Sequence, residues 1–325
     1  MEVHDGAELC FPQLLNTSCR KPLTSWSVVV FLRILLSSLS VLTVALNVLV
    51  VISISHFRQL HKPTNLLLLS LSVSDFIVGL VFMPGEILRK TSCWFLGDLL
   101  CSLYIYFATI ALCSSVGNIV LISVDRYVII CDPLQYPTRV TVGRVKLCIF
   151  MCWFCSSLYS SYLVKDDSLQ KDTYFSCYGE CALMVGHTLA FVDLILAFIA
   201  PVTVIMVLYL MVFVVAVSQA RAITAVTLQH SVTVTSRKSE LKAARTLGVL
   251  IAVFLMCFCP YYCVSFAGGD ILNTSYGILV PCLFCFNSCL NPLIYALFYP
   301  WFRRAVKIIV TLQILQAGSR EANVL

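Results

Sequence analysis

The stretch LGDLLCSLYIYFATIALCSSVGNIVLISVDRYVIICDPLQY, residues 96–136, decides the fold of this chain. It contains no charged residue between Asp98 and Asp125, and an apolar run of that length predicts a membrane-spanning helix. Asp125 begins the triplet Asp125-Arg126-Tyr127 near the end of the run. A charged side chain is costly in a membrane unless it has a partner, so we expect Arg126 to pair with the adjacent Asp125.

The composition of the whole chain also indicates a membrane protein. Of its 325 residues 60% are hydrophobic and 12% are charged, and the mean hydropathy is +0.93. A soluble domain of this composition would expose too much apolar surface. The amino-terminal segment carries the acidic residues Glu2, Asp5 and Glu8, whereas basic residues cluster in several of the later connections between the apolar runs. The positive-inside rule therefore predicts a multi-pass membrane protein with an extracellular amino terminus and a cytoplasmic carboxyl terminus.

Seven apolar runs predict an all-α bundle of seven membrane-spanning helices. We expect an extracellular segment at 1–30, a transmembrane domain at 31–299, and an amphipathic helix with a cytoplasmic tail at 300–325. The amphipathic helix should lie on the inner membrane surface against lipid, and the polar tail beyond Gly318 should be disordered. Besides the opening stretch, the predicted spans are residues 31–53, 65–88, 145–163, 187–217, 243–266 and 276–298.

Six cysteines fall on the predicted outer side, where the compartment is oxidising and disulfides form. Their spacing alone does not choose among the possible pairings. Asn16-Thr17-Ser18 is a glycosylation sequon on the same side, and Asn273 begins a second sequon that lies close to the bilayer. The six are Cys10, Cys19, Cys93, Cys101, Cys177 and Cys181.

Every predicted helix carries one short marker. In chain order the markers are Asn47, Asp75 in LSVSD, Asp125-Arg126-Tyr127, Trp153, Pro201 with Tyr209, Cys257-Phe258-Cys259-Pro260, and Asn291-Pro292-Leu293-Ile294-Tyr295. One such marker is a weak signal, but the full series in this order closely resembles the rhodopsin-like G-protein-coupled receptors.

A narrower resemblance lies in the seventh helix and in the connections. Residues 287–302 read NSCLNPLIYALFYPWF, and LCFP at 9–12, SISHFRQLH at 53–61 and KSELKAARTLG at 238–248 agree with it. This set is similar to the trace amine-associated receptors. Most members of that family are olfactory receptors for volatile amines that couple to a stimulatory G protein and cyclic AMP. The resemblance therefore implies a small-molecule amine and a stimulatory G protein of olfactory type as partners.

The resemblance also implies roles for particular residues. Cys101 should pair with Cys181, Cys10 with Cys177, and Cys19 with Cys93. The one cofactor it implies is an allosteric sodium ion, in a pocket made by Asp75, Ser115, Asn287, Ser288 and Asn291. The resemblance also implies that Arg126 leaves Asp125 on activation, when the sixth helix pivots near Pro260. The implied activation residues are Asp125, Arg126, Tyr127, Tyr209, Pro260, Pro292 and Tyr295.

The chain departs from this pattern where aminergic receptors bind the ligand amine. Those receptors carry an aspartate seven residues after the outer cysteine of the third helix, and that position is Ala108 here. Asp193 instead lies eight residues before Pro201, about 12 Å further outward, at pocket depth. Because an ionised carboxylate there is costly unless paired, we predict that a ligand ammonium pairs with Asp193. Some fish members of the family are thought to carry the acid at this place.

The alternative for Asp193 is a structural role, either as a protonated acid or in a hydrogen bond to a helix neighbour such as Thr109 or Tyr262. On the ligand interpretation, the sixth helix supplies an aromatic cage from Phe258, Tyr261 and Tyr262, since aromatic faces attract an ammonium. Ordinary helix packing is the alternative for at least one of the three. Thr109 and Leu112 of the third helix would line the floor of the pocket.

Glu86, near the outer end of the second helix, is a candidate second anion for a diamine. Arg89 follows three residues later, so an ion pair within the helix is the alternative.

Other function classes fit less well. A rhodopsin-like receptor for a non-amine ligand is the main rival, because Ala108 permits it. A channel or transporter would need a polar path or repeats, which the helices lack. An opsin is excluded because no lysine lies between Tyr276 and Pro300. No catalytic constellation or metal-ligand spacing appears, so we expect neither an enzyme nor a metal site beyond sodium, and we expect no nucleic-acid partner.

Overall fold

The computed structural model describes residues 8–14, 17–20, 26–173, 177–183, 185–226, 248–249, 251–263, 276–316 and 318–324. Over these residues the chain is an all-α bundle with two isolated β-bridges in its outer segments. The helices are α1 (Trp26–His56), α2 (Pro63–Thr91), α3 (Gly97–Cys131), α4 (Val142–Thr173), α5 (residues 187–226), α6 (Ile251–Cys263), α7 (Tyr276–Phe298) and α8 (Pro300–Val310). We call the end that carries the disulfides the outer end and the opposite end the inner end.

The described helices agree with the predicted spans. Helices α1 to α5 are each long and apolar enough to cross a membrane. Helix α6 is apolar but shorter over its described residues, and α7 is followed by α8 at a bend of 103°. With α6 and α7 counted, the predicted fold of seven membrane helices and a short amphipathic helix is confirmed.

Helices α2 and α3 form the centre of the bundle. About half of their apolar windows is buried, 56% and 50%, against 22% for α1, 17% for α4 and 11% for α5. The outward faces of the peripheral helices carry exposed apolar side chains, among them Phe31, Phe150 and Leu196. Such faces are stable in lipid, where apolar surface carries no hydration cost.

Helices α2 and α5 each contain a widened π-helical turn just before a proline. The turns are Val78–Phe82 before Pro84 and Leu194–Ile199 before Pro201. A proline has no N–H to donate to the carbonyl one turn earlier, and a π turn absorbs that mismatch. The extra residue rotates the outer part of each helix relative to its inner part.

The carboxyl-terminal tail docks under the bundle, so the prediction of a disordered tail is corrected. The Nε2 atom of His56 lies 3.0 Å from the Ser319 hydroxyl, and Arg58 forms an ion pair of 3.6 Å with Glu321. Val324 is fully buried in the main core cluster. A polar composition predicts disorder only when the segment finds no partner, and here the turn after α1 supplies one.

Three disulfides hold the outer segments together, and two of them differ from expectation. Cys101 pairs with Cys181 as expected. Cys10, however, pairs with Cys93 rather than Cys177, and Cys19 pairs with Cys177 rather than Cys93. The sequons at Asn16 and Asn273 lie outside the described residues.

Backbone hydrogen bonds explain the exchange of partners. The amide of Cys10 donates to the carbonyl of Cys19 at 2.8 Å, and the amide of Cys19 donates to the carbonyl of Tyr178 at 2.9 Å. Cys19 therefore lies beside the residue that precedes Tyr178, and its Cα is 5.0 Å from that of Cys177. Cys10 is left to meet Cys93, at a Cα separation of 5.6 Å.

This pairing predicts which thiol each single substitution releases. In Cys10→Ser, a membrane-impermeant maleimide applied to intact cells should label Cys93, as located by peptide mass spectrometry. In the matched control, Cys19→Ser, the same maleimide should label Cys177. A label on Cys177 in Cys10→Ser would contradict the pairing.

Candidate functional site

Asp193 lies in the outer half of α5, directly before the π turn, and is half-buried. The Tyr159 hydroxyl, from α4, donates a short hydrogen bond to its Oδ1 atom. The hydrogen bond to a neighbouring helix that the structural alternative expects is therefore present, but its donor is Tyr159 and not Thr109 or Tyr262. Among the described residues no basic side chain forms an ion pair with Asp193. The carboxylate thus has one neutral donor and no counter-ion within the described chain.

Aromatic rings lie around this carboxylate. Tyr262 is near enough to interact electrostatically with Asp193, and its ring stacks on Phe198 with centroids 4.3 Å apart. Tyr261 meets the Tyr262 ring edge-on at 5.1 Å and is 39% exposed. The structure thus brings both tyrosines to the neighbourhood of Asp193, where they also pack against other rings. Phe198 was not predicted, because only the turn of α5 brings it against α6.

Phe258 has a different position from the other predicted cage residues. Its ring is 2% exposed and is held between Phe254, at 4.3 Å, and Phe284, at 4.2 Å. It belongs to a packed aromatic column below the tyrosines and offers almost no surface to a ligand. On α3, Ala108 is buried, while Thr109 and Leu112 are half-buried.

Glu86 is tied into a compact polar cluster between α2 and α3. The Arg89 guanidinium donates two hydrogen bonds to the Glu86 carboxylate, from Nε to Oε1 and from Nη2 to Oε2, both 2.9 Å long. The Tyr104 hydroxyl donates to the same Oε1 atom at 2.8 Å. Glu86 is only 2% exposed. The ion pair within α2 is therefore present in the structure.

A glycine permits this cluster to form. A side-chain carbon built on Gly85 would lie 2.0 Å from the Cε2 atom of Tyr104, so any larger residue would displace the Tyr104 ring or push α2 away from α3. The close approach delivers Glu86 to the Tyr104 hydroxyl. Glu86 also interacts electrostatically with Cys285 of α7, which places it where α2, α3 and α7 converge.

Asp75 lies at the centre of the bundle and is fully buried. Its Oδ1 atom accepts from the hydroxyls of Ser115 at 3.1 Å and Ser288 at 2.8 Å, and its Oδ2 atom accepts from Asn291 Nδ2 at 2.7 Å. The Oδ1 atom of Asn287 is buried without a hydrogen-bond partner among the described residues. All five predicted sodium-site residues are thus buried, and three of them bond directly to Asp75. One carboxylate with hydroxyl and amide oxygens is a donor set that suits a hard cation.

The inner end of α3 carries a four-residue lock. Arg126 Nη2 lies 2.6 Å from Asp125 Oδ2, as predicted, and also donates to the Thr64 hydroxyl at 2.7 Å. The Tyr136 hydroxyl donates to Asp125 Oδ1 at 2.9 Å. Sequence reasoning missed Thr64 and Tyr136. Tyr136 closes the opening stretch, but nothing in its spacing shows that it returns to Asp125.

Two of these groups join other parts of the chain to α3. Tyr136 begins a one-turn helix, Tyr136–Arg139, in the connection between α3 and α4. Burial raises the pKa of its phenol, which therefore stays protonated and donates to the carboxylate. Thr64 lies in the first turn of α2, so the lock joins α2, α3 and the connection.

The remaining predicted activation residues lie on α3, α5, α6 and α7. Tyr295 is fully buried, and its hydroxyl has no hydrogen-bond partner among the described residues. Tyr209 packs against the main core cluster, and its hydroxyl approaches Gly248. Pro292 is buried, whereas Pro260 and Tyr127 are half-buried.

Comparison with known proteins agrees with this architecture. Residues 46–295 match the family described as 7 transmembrane receptor (rhodopsin family). The chain is 35% identical to trace amine-associated receptor 13c of Danio rerio over 331 residues, which cover 98% of this chain and 97% of the relative. It is 38% identical to trace amine-associated receptor 6 of Pan troglodytes, with 98% and 96% covered, and 38% identical to trace amine-associated receptor 7e of Mus musculus, with 98% and 92% covered.

Both the family match and the relatives extend over the bundle that holds Asp75, Asp125 and Asp193. The chain therefore belongs to the trace amine-associated receptors of the rhodopsin family: it is a multi-pass plasma-membrane receptor, not an enzyme, that takes a small-molecule ligand and a G-protein partner.

Proposed function

We propose that this receptor binds an amine whose ammonium pairs with Asp193, and that it signals through a stimulatory G protein to cyclic AMP. The observation that carries the proposal is a half-buried carboxylate inside the bundle that has a neutral donor, Tyr159, and no ion-pair partner among the residues that the structure describes. Such a charge is costly in a membrane, and a ligand cation at its open side relieves the cost.

The surroundings of Asp193 favour a cation over other ligand classes. Tyr262 interacts electrostatically with Asp193, and Tyr261 contacts Tyr262 edge-on. An aromatic face that meets a desolvated ammonium attracts it by about 0.5–2 kcal/mol. Tyr159 orients the carboxylate through Oδ1, which leaves Oδ2 for the ligand. The loss of the acid at Ala108 means that the amine lies against α5 rather than α3.

The ligand signal reaches the inner lock by a shift between two states of the bundle. An amine that binds better when α5 and α6 close around Asp193 favours the state in which Arg126 has left Asp125 and Thr64. Tyr295, buried without a described partner for its hydroxyl, is poised to gain one in that state. The inner cleft then accepts the G protein.

The outer placement of the amino terminus and the inner placement of the carboxyl terminus are part of this proposal. Disulfides at one end of the bundle require an oxidising compartment, which supports it. Labelling of released thiols in intact cells reports this orientation. We also infer an olfactory role from the family, which detection of the transcript in olfactory sensory neurons would check.

The amine hypothesis predicts that Asp193→Asn lowers the potency of activating amines about 100-fold or more, because a desolvated charge pair is lost. The measurement is cyclic AMP in cells that express the receptor, against a panel of amines. Asp98→Asn, at an exposed acid in the first turn of α3, is the matched control and should respond like the parent. An unchanged response of Asp193→Asn at equal surface expression would favour a neutral ligand.

The lock predicts that Thr64→Val raises ligand-free signalling. The isosteric change removes the acceptor of Arg126 Nη2, and a hydrogen bond to a charged group contributes about 1.5 kcal/mol or more. The active fraction should therefore rise about tenfold. Basal cyclic AMP per surface receptor measures it, with Thr138→Val of the exposed inner connection as control. Basal signalling at the parent level would show that Thr64 does not restrain Arg126.

We further propose that a sodium ion binds at Asp75, held by its carboxylate, Ser115, Ser288 and the unpartnered oxygen of Asn287. Bound there, the ion supplies a positive charge that stabilises the resting arrangement of α2, α3 and α7. Replacement of sodium by choline in the buffer should raise amine potency in the parent and leave Asp75→Asn unaffected. A parent receptor that ignores sodium would exclude the site.

A further inference from the structure

Two carboxylates lie in the outer half of this bundle, and they have different partners. Asp193 has a neutral donor and no described counter-ion. Glu86 is clamped by a bidentate guanidinium from Arg89 and by the Tyr104 hydroxyl. The buried carboxylate of Glu86 is therefore already paired with a cation, and that cation is the receptor's own Arg89 guanidinium.

Two tyrosines of α6 lie within electrostatic range of the two acid sites. Arg89, which holds Glu86, interacts electrostatically with Tyr261. Tyr261 contacts Tyr262 edge-on, and Tyr262 interacts electrostatically with Asp193. The outer part of α6 is therefore near both the Glu86 cluster and Asp193.

We propose that the Glu86 cluster is a second ammonium site, filled by the guanidinium of Arg89, and that this makes the receptor selective for monoamines over diamines. The inference rests on the proposed function, since it assigns the first ammonium to Asp193. A diamine bound at Asp193 can use Glu86 only by displacing Arg89. Arg89 is attached one turn away on the same helix, so its effective concentration at Glu86 is high and the displacement is unfavourable.

Removal of Arg89 should expose the second site. In Arg89→Gln the carboxylate of Glu86 keeps the Tyr104 donor but loses its cation, and the far ammonium of a diamine can replace it. Lys90 is the neighbouring cation and interacts electrostatically with Glu86 and Glu180, but among the described residues it forms no ion pair with Glu86. Lys90→Gln is therefore a matched control that changes the local charge equally.

The experiment measures cyclic AMP against α,ω-diaminoalkanes of increasing chain length and the alkylamines of matching length. We expect the potency of diamines relative to monoamines to rise about tenfold or more in Arg89→Gln. In the double variant Glu86→Gln/Arg89→Gln, the potency of diamines relative to monoamines should equal that of the parent. The control Lys90→Gln should also show the parent ratio. An unchanged ratio in Arg89→Gln at the cell surface would overturn the proposal.

The same panel separates this inference from the proposed function. If Asp193→Asn no longer responds to monoamines and the diamine response of Arg89→Gln is no stronger than that of the parent, only the second site is refuted. If Asp193→Asn responds like the parent, the proposed function itself is refuted. If Arg89→Gln does not reach the surface, a diamine in the medium should restore its surface expression but not that of the double variant. The absence of such rescue would also overturn the proposal.

Discussion

A carboxylate inside a membrane bundle must find hydrogen-bond donors or a cation, and this constraint organises the whole molecule. Asp75 has three donors from α3 and α7. Glu86 has a guanidinium and a phenol, and Asp125 has a guanidinium, a threonine and a phenol. Within the described part of the chain, Asp193 has Tyr159 as its one hydrogen-bond donor. Asp193 therefore has fewer described partners than the other three acids, and this difference is why we propose that the ligand ammonium pairs with it.

The two π turns decide which way the outer acids point. In α5 the turn begins one residue after Asp193, and in α2 it ends just before the segment that holds Glu86. Each turn adds one residue relative to a regular helix, which rotates the outer part of the helix by about a quarter turn or more. Each turn lies just before a proline, and Asp193 and Glu86 lie on the outer sides of the two turns. The close packing of Gly85 on Tyr104 then fixes the distance between α2 and α3 at this depth.

One continuous core connects the outer pocket to the inner lock. The main cluster of buried apolar residues contains Tyr262, which lies beside Asp193, as well as Phe258, Phe284 and Tyr295 further along. Packed interiors rearrange between discrete states and do not deform gradually. A ligand that moves Tyr262 therefore has a physical route to α7 and to the residues around Arg126. The docked tail closes the inner end of the same cluster through Val324.

The sequence by itself determined the membrane class, the number of helices and the family, because apolar runs and short motifs are local properties that survive any rotation of the helices. It also singled out Asp193, since an acid in an apolar run has few explanations. It did not show that Tyr159 holds this acid, that Thr64 and Tyr136 complete the lock, or that Cys10 pairs with Cys93. Those contacts join residues far apart in the chain, and they depend on how each helix is rotated and on which backbone segments pair. Only the packed bundle sets those quantities, because they follow from the joint fit of all helices and not from the sequence of any one of them.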